Sequence, residues 1–205
     1  MARSESPARS LILASTSPYR RALLERLRLP FSVLAPGVDE TPRSGERPGD
    51  LALRLALAKA GAVSRAHPGA LVIGSDQVAT LDGAPIGKPG GFDQALAQLQ
   101  SMRGRAVVFH TAVAVDDGRR AASATVTTRC TLRDLPDGAL RAYLRAERPY
   151  DTAGSAKAEA LGIALMERVE SDDPTALIGL PLIALTRLLA GFGMDPLAAL
   201  EEPDA

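Results

Sequence analysis

At 205 residues the chain has the length for one large domain or two closely joined lobes, and an apolar content of 46% supplies a substantial core. The 24 basic side chains balance 24 acidic ones, which argues against a protein that holds nucleic acid mainly through charge. Cys130 is the single cysteine, so no intrachain disulfide can form, and the reading is of a protein of the reducing cytoplasm.

In chain order, residues 1–10 read as a polar, flexible tail without the apolar centre of a signal peptide. Residues 11–205 read as one domain. Leu11 to Ala14 is a short buried strand, Ser15-Thr16-Ser17 a small-hydroxyl turn, and Pro18 to Arg28 a helix. Proline suits the first helical position, where its missing N–H would have no partner, and Ser17 stands at the N-cap. Such a helix start favours an anion, and Arg20 or Arg21 adds charge to it; an ordinary capped helix with solvated arginines fits the same residues.

Phe31 to Ala35 reads as a second strand and residues 37–47 as a polar loop carrying Asp39 and Glu40. Asp50 caps a helix to about Ala66 that carries Lys59 and stops at His67-Pro68-Gly69. Ala70 to Gly74 is a buried strand followed at once by Ser75-Asp76-Gln77. Asp82-Gly83 marks a hairpin, with Ile86-Gly87-Lys88-Pro89 returning beside it. A helix from Phe92 to Met102, strands over 105–116 and 120–133, and a helix from Pro136 to Arg145 follow. Residues 150–159 are too rich in glycine and alanine to assign. Residues 162–169 read as extended, and 180–190 as a last helix within an apolar run too interrupted to span a membrane. Alternating strands and helices with hairpins imply an α/β fold on a mixed sheet.

Chemistry gathers in four groups: the opening turn with Ser15, Ser17 and Arg20; Asp39-Glu40; Asp76 just past a buried strand; and Lys59 with Lys88. Ligands of α/β sheets collect at strand ends. Carboxylates there can hold a hard divalent cation, and lysine and arginine suit phosphate oxygens. Together they describe a metal-assisted phosphoryl site. Each residue also has an ordinary reading as a solvated loop, a helix lysine or a turn cap, and the spacings alone do not select a reaction. His67 and His110 have no metal-ligand spacing and read as structural; Cys130 reads as a buried strand residue.

Seven motifs in order narrow this. LILASTSPYRR at 11–21, VDE at 38–40, LRLALAKA at 53–60, IGSDQV at 73–78, GKP at 87–89, DTAGSAKAE at 151–159 and IGLPL at 178–182 resemble the Maf family over residues 11–194. The resemblance implies a mixed twisted sheet flanked by helices, in two lobes around a central cleft (a Maf/ITPase-like fold). It implies hydrolysis of a nucleoside triphosphate to a monophosphate and pyrophosphate with a divalent metal, Mg or Mn. By the same resemblance Ser15, Ser17, Arg20, Lys59 and Lys88 bind phosphate and Glu40 and Asp76 bind metal. Asp76 is also the proton acceptor or the holder of a metal-bound water. Tyr19, Gln77 and Glu159 match the positions that differ between substrate subgroups, and their identities resemble the subgroup acting on 7-methyl-GTP. A carboxylate suits the N1–H and amino donors of guanine, and Tyr19 suits the positive charge of an N7-methylated base. Gln77 can donate or accept. Ala156 departs from the family pattern, which has a larger residue there.

The expectations are therefore a pyrophosphatase of 7-methyl-GTP that clears modified nucleotides, taking a nucleoside triphosphate, without membrane or general nucleic-acid partners, and forming a homodimer by analogy. The competing readings are the same chemistry on dTTP, UTP or another modified nucleotide, and a non-catalytic regulator of cell division acting by protein binding.

Overall fold

The computed structural model describes residues 9–200, so the first eight positions of the expected tail lie outside the described residues. Arg9 and Ser10 are tied to the sheet: Arg9 Nε donates to the Gly69 carbonyl, and the Ser10 carbonyl accepts from Leu71 N–H.

Among the described residues, seven strands form one mixed sheet, flanked by five helices. The strands are β1 (Leu11–Ala14), β2 (Phe31–Leu34), β3 (Leu71–Leu81), β4 (Ala84–Ile86), β5 (Ala106–Asp116), β6 (Ala121–Leu132) and β7 (Met166–Glu170). The helices are α1 (Pro18–Glu25), α2 (Pro48–Ala66), α3 (Phe92–Met102), α4 (Asp137–Glu147) and α5 (Leu182–Gly191). The order across the sheet is β2-β1-β3-β5-β6-β7, with β1, β2 and β3 parallel and the rest antiparallel; β4 pairs with the end of β3.

The long strands run through two lobes. Leu71 and Ile73 of β3 and Val113 and Val115 of β5 pack under α1 and α5, while Val72, Ala112 and Ala114 face α2 on the opposite side. Further along, Ala79, Val107, Phe109 and Cys130 join α3 and α4 in a separate core. Burial pushes the Cys130 thiol up to about 12, in keeping with a packing role.

The gap between the lobes follows from the register. On one edge of β3, β1 covers Leu11–Ala14 against Leu71–Gly74 and β4 covers Ala79–Leu81. The other edge is paired throughout by β5. Residues 75–78 are therefore left with one open edge, beside the carboxyl ends of β1 and β2, where α/β sheets bind ligands.

Helix α2 lies unusually close to this point. Ala52, Ala56 and Ala60 form a small-residue stripe against the sheet, and Gly74 meets it with no side chain. A Cβ on Gly74 would fall 2.2 Å from the Ala56 carbonyl oxygen and 2.6 Å from Ala60 N.

Several expectations are corrected. Helix α1 ends at Glu25 rather than Arg28, which turns left-handed at φ 54°. Helix α2 begins at Pro48 behind Arg47, and Asp50 sits in its first turn paired to Arg47 Nε at 2.7 Å rather than capping it. Strand β3 continues unbroken through Ser75-Asp76-Gln77. Leu161–Leu165 is a 3-10 turn, so only the latter half of the expected 162–169 segment is strand. Pro181 delays the last helix to Leu182, after a separate 3-10 turn at Ala176–Ile178. No helix among the described residues is long and apolar enough to cross a membrane.

Candidate active site in the interlobe cleft

A cleft of about 520 Å³ opens at the gap in the sheet. Its walls come from the turn after β1, the loop after β2, the open stretch of β3, Lys88 after β4, and the segments at 151–153 and 178–179.

The opening turn is built by short-range hydrogen bonds. Ser17 N–H donates to Ser15 Oγ at 3.1 Å, and Ser17 Oγ accepts from Arg20 N–H at 3.4 Å, the expected N-cap bond. Arg20 turns into the cleft, donating from Nε to the Gly179 carbonyl at 2.8 Å. Burial lowers its pKa from the ordinary value, and the charges of Asp76 and Glu40 pull it back up; a guanidinium remains charged in such a setting. Arg21 points away and pairs with Glu25 at 3.0 Å, so Arg20 alone is the arginine of the site.

Lys59 is the hub of the floor. From the buried face of α2 its ammonium lies 2.6 Å from Asp76 Oδ1 and 2.7 Å from Glu40 Oε1. Lys59 and Asp76 are nearly sealed, with side chains 5% and 11% exposed, whereas Glu40 is open at 59%. Lys59 thus donates a hydrogen bond to Asp76 and makes an ion pair with Glu40, so it holds the acidic pair together. Asp76 Oδ2 has no hydrogen-bond partner among the described residues, which leaves that oxygen for the cleft. Lys88 is exposed at the cleft wall and has no ion-pair partner among the described residues.

The neighbours Asp39 and Glu40 divide. Asp39 Oδ1 accepts from Thr41 N–H at 2.9 Å and from Thr41 Oγ1 at 2.6 Å, which holds the carboxyl below its ordinary range. It closes its own loop, and only Glu40 enters the cleft.

Of the three subgroup positions, two line the cleft. Tyr19 O–H donates to Asp151 Oδ2 at 3.1 Å, and the Lys157 ammonium lies 6.0 Å from the centre of its ring. Gln77 is held by its amide nitrogen against Thr111 and the turn at 176–177. Glu159 does not join them: it is exposed, lies outside the lining, and has its charge felt at Tyr143, whose hydroxyl accepts from Lys157 N–H. The preceding backbone turns through left-handed conformations at Gly154 and Ser155, and Glu159 follows this bend. Asp151 was missed by sequence reasoning. An acidic residue in a small-residue stretch carries no signal of its own, and its partner Tyr19 is far away in the chain.

The donor set fits a hard divalent ion. Glu40 and Asp76 supply two carboxylates at one point, and magnesium-type ions are commonly held by one or two carboxylates with the remaining ligands drawn from substrate phosphates and water. Among the described residues no group of three or more His, Cys, Asp or Glu side chains converges.

Comparison with known proteins places the chain in a family. The family model described as Maf-like protein matches residues 10–192. A protein of Bordetella pertussis named 7-methyl-GTP pyrophosphatase is 67% identical over 187 residues, covering 91% of this chain and 94% of that one. A protein of Cupriavidus pinatubonensis with the same name is 60% identical over 196 residues, covering 95% and 98%. The Ham1 protein of Staphylococcus aureus aligns at 16% identity over 62% of this chain and 73% of that one, with a TM-score of 0.44, too low to bear on the argument. On the family match and these identities, the chain belongs to the family of Maf-like proteins.

Proposed function

We propose that this chain is a cytoplasmic nucleoside triphosphate pyrophosphatase that hydrolyses 7-methyl-GTP to 7-methyl-GMP and pyrophosphate, clearing a modified nucleotide. The observation that carries the reading is the Lys59 ammonium holding Glu40 and Asp76 together at the floor of the cleft, beside the Ser15–Arg20 turn. The names of the relatives supply the substrate.

The triphosphate lies along the opening turn, with Arg20 and Lys88 facing its oxygens and the hydroxyls of Ser15 and Ser17 beside them. Water attacks the α-phosphorus, the bond to the oxygen bridging the α- and β-phosphorus breaks, and pyrophosphate leaves. Asp76 acts through Oδ2, the oxygen that Lys59 does not occupy, either taking the proton itself or helping to hold a divalent ion that would make the water more acidic. An ordinary Asp, with a pKa of about 3.9, is a weak base. A divalent ion held by Glu40 and Asp76 would supply charge neutralisation and a more acidic water. Positioning and charge do most of the work in such reactions. At the other end of the cleft Tyr19 presents a ring to the positively charged base. Glu159, outside the cleft lining, acts on base choice through its charge.

The test is pyrophosphate release from 7-methyl-GTP, GTP, dTTP, UTP and CTP with magnesium or manganese. Preference for 7-methyl-GTP is expected. Preference for a pyrimidine would keep the reaction and reverse the base assignment. No release from any of them by folded protein would favour a binding protein.

A further inference from the structure

Gln77 faces the cleft with its amide fixed end for end. Nε2 lies 2.9 Å from Thr111 Oγ1, 2.9 Å from the Ala176 carbonyl oxygen and 3.1 Å from the Leu177 carbonyl oxygen. Carbonyl oxygens only accept, so the NH₂ group is the end that meets them; the reversed amide would set Oε1 against two carbonyls. Both amide protons are thereby engaged. Oε1 has no hydrogen-bond partner among the described residues, and the side chain lines the cleft. Although glutamine can both donate and accept, here it offers the cleft an acceptor only.

Thr111 ties this arrangement together. It stands opposite Gln77 in the β3–β5 register and is fully buried. Its hydroxyl donates its one proton to the Ala176 carbonyl at 2.9 Å, which leaves its lone pairs for Gln77 Nε2. The turn bearing those carbonyls is itself held by the buried carboxylate of Asp173. Oδ1 accepts from Thr175 N–H and Oγ1, and Oδ2 from the N–H groups of Ile183 and Ala184 at the start of α5.

We propose that Thr111 is a positioning residue that, together with the Ala176 and Leu177 carbonyls, locks Gln77 as a hydrogen-bond acceptor, so that the cleft favours a base presenting an N–H donor there over one presenting an oxygen. Guanine and 7-methylguanine carry an N1–H and an adjacent amino group on one edge. Uracil and thymine flank their single N–H with oxygens on both sides, and an oxygen set against Oε1 is repelled. The inference rests on the nucleotide reading above.

The test uses the full chain and two measurements. The first is hydrogen exchange of the Gln77 side-chain NH₂ by nitrogen-15 NMR, with the signal assigned by its loss in Gln77→Leu. Exchange at least about tenfold slower than that of the exposed Gln94 is expected for a doubly bonded amide. Equal rates would overturn the proposal. The second is the ratio of Kd values for α,β-methylene analogues of 7-methyl-GTP and UTP, which reads selectivity without turnover. Thr111→Val should speed the exchange and shrink the preference for the guanine analogue about fivefold, as expected for weakening one neutral hydrogen bond. Thr111→Ser should keep both near the parent values. An unchanged ratio in Thr111→Val, or equal losses in Val and Ser, would overturn the proposal. If Thr111→Val does not fold, Thr111→Ala carries the selectivity test and the parent exchange rate still decides the orientation. Because binding is read with uncleavable analogues, failure here is distinct from failure to release pyrophosphate.

Discussion

The floor and the rim of the cleft are made differently. The floor is set by regular elements in close contact: α2 brings Lys59, β3 brings Asp76, and Gly74 lets the two backbones approach. Of its charges, Lys59 and Asp76 are nearly sealed from solvent and paired. The rim is made of turns, with Tyr19 meeting Asp151 across 132 residues of chain and Lys88 exposed. Charges removed from water interact strongly and are costly to leave unpaired, whereas exposed ones are screened. Substitutions in the floor should therefore damage both folding and chemistry, and substitutions at the rim should change binding and selectivity while leaving the fold intact.

The sharpest break of that contrast is Asp76→Asn. It keeps the shape of the side chain and removes the proposed proton acceptor or metal ligand, so pyrophosphate release should fall about 10²–10⁴-fold; a rate within a few-fold of the parent would remove Asp76 from the chemistry. Next is Gly74→Ala. A methyl group cannot fit 2.2 Å from the Ala56 carbonyl oxygen, so α2 must move away from β3 and carry Lys59 with it. Urea unfolding should show a loss of about 3 kcal/mol, together with lost activity.

Lys59→Met and Lys88→Met then set floor against rim directly. The first strands the Asp76 carboxylate beside an apolar side chain and should cost about 3 kcal/mol of stability. The second should leave stability within about 0.5 kcal/mol and raise KM for the triphosphate. Equal stability losses in the two would contradict the division. Glu159→Gln should have the smallest effect: a drop of about twofold to threefold in preference for 7-methyl-GTP over UTP, as for a weak exposed interaction, with stability unchanged. An unchanged preference would take Glu159 out of base selection.

The sequence reading was most accurate where the structure is decided locally. The run LILA, the hydroxyl turn and Pro18 specify β1 and the start of α1 within eleven residues, and Asp82-Gly83 specifies the hairpin between β3 and β4. It fell short where distant parts decide. Ser75-Asp76-Gln77 looked like the end of a strand because polar residues interrupt an apolar run. They remain in β3 because β5 pairs with them on one side while the missing β1 partner on the other opens the cleft. Asp39 and Glu40 could not be told apart until Thr41 was seen to engage Asp39. The segment at 150–159 has no readable period because consecutive left-handed residues at Gly154 and Ser155 interrupt it. The orientation of Gln77 depends on carbonyls 99 and 100 residues further along the chain.

The most direct test of the account is hydrolysis of 7-methyl-GTP in water enriched in oxygen-18, with the products weighed by mass spectrometry. Attack at the α-phosphorus places the label in 7-methyl-GMP and leaves the pyrophosphate unlabelled. Label in the pyrophosphate, or release of orthophosphate in its place, would contradict the assignment of this cleft.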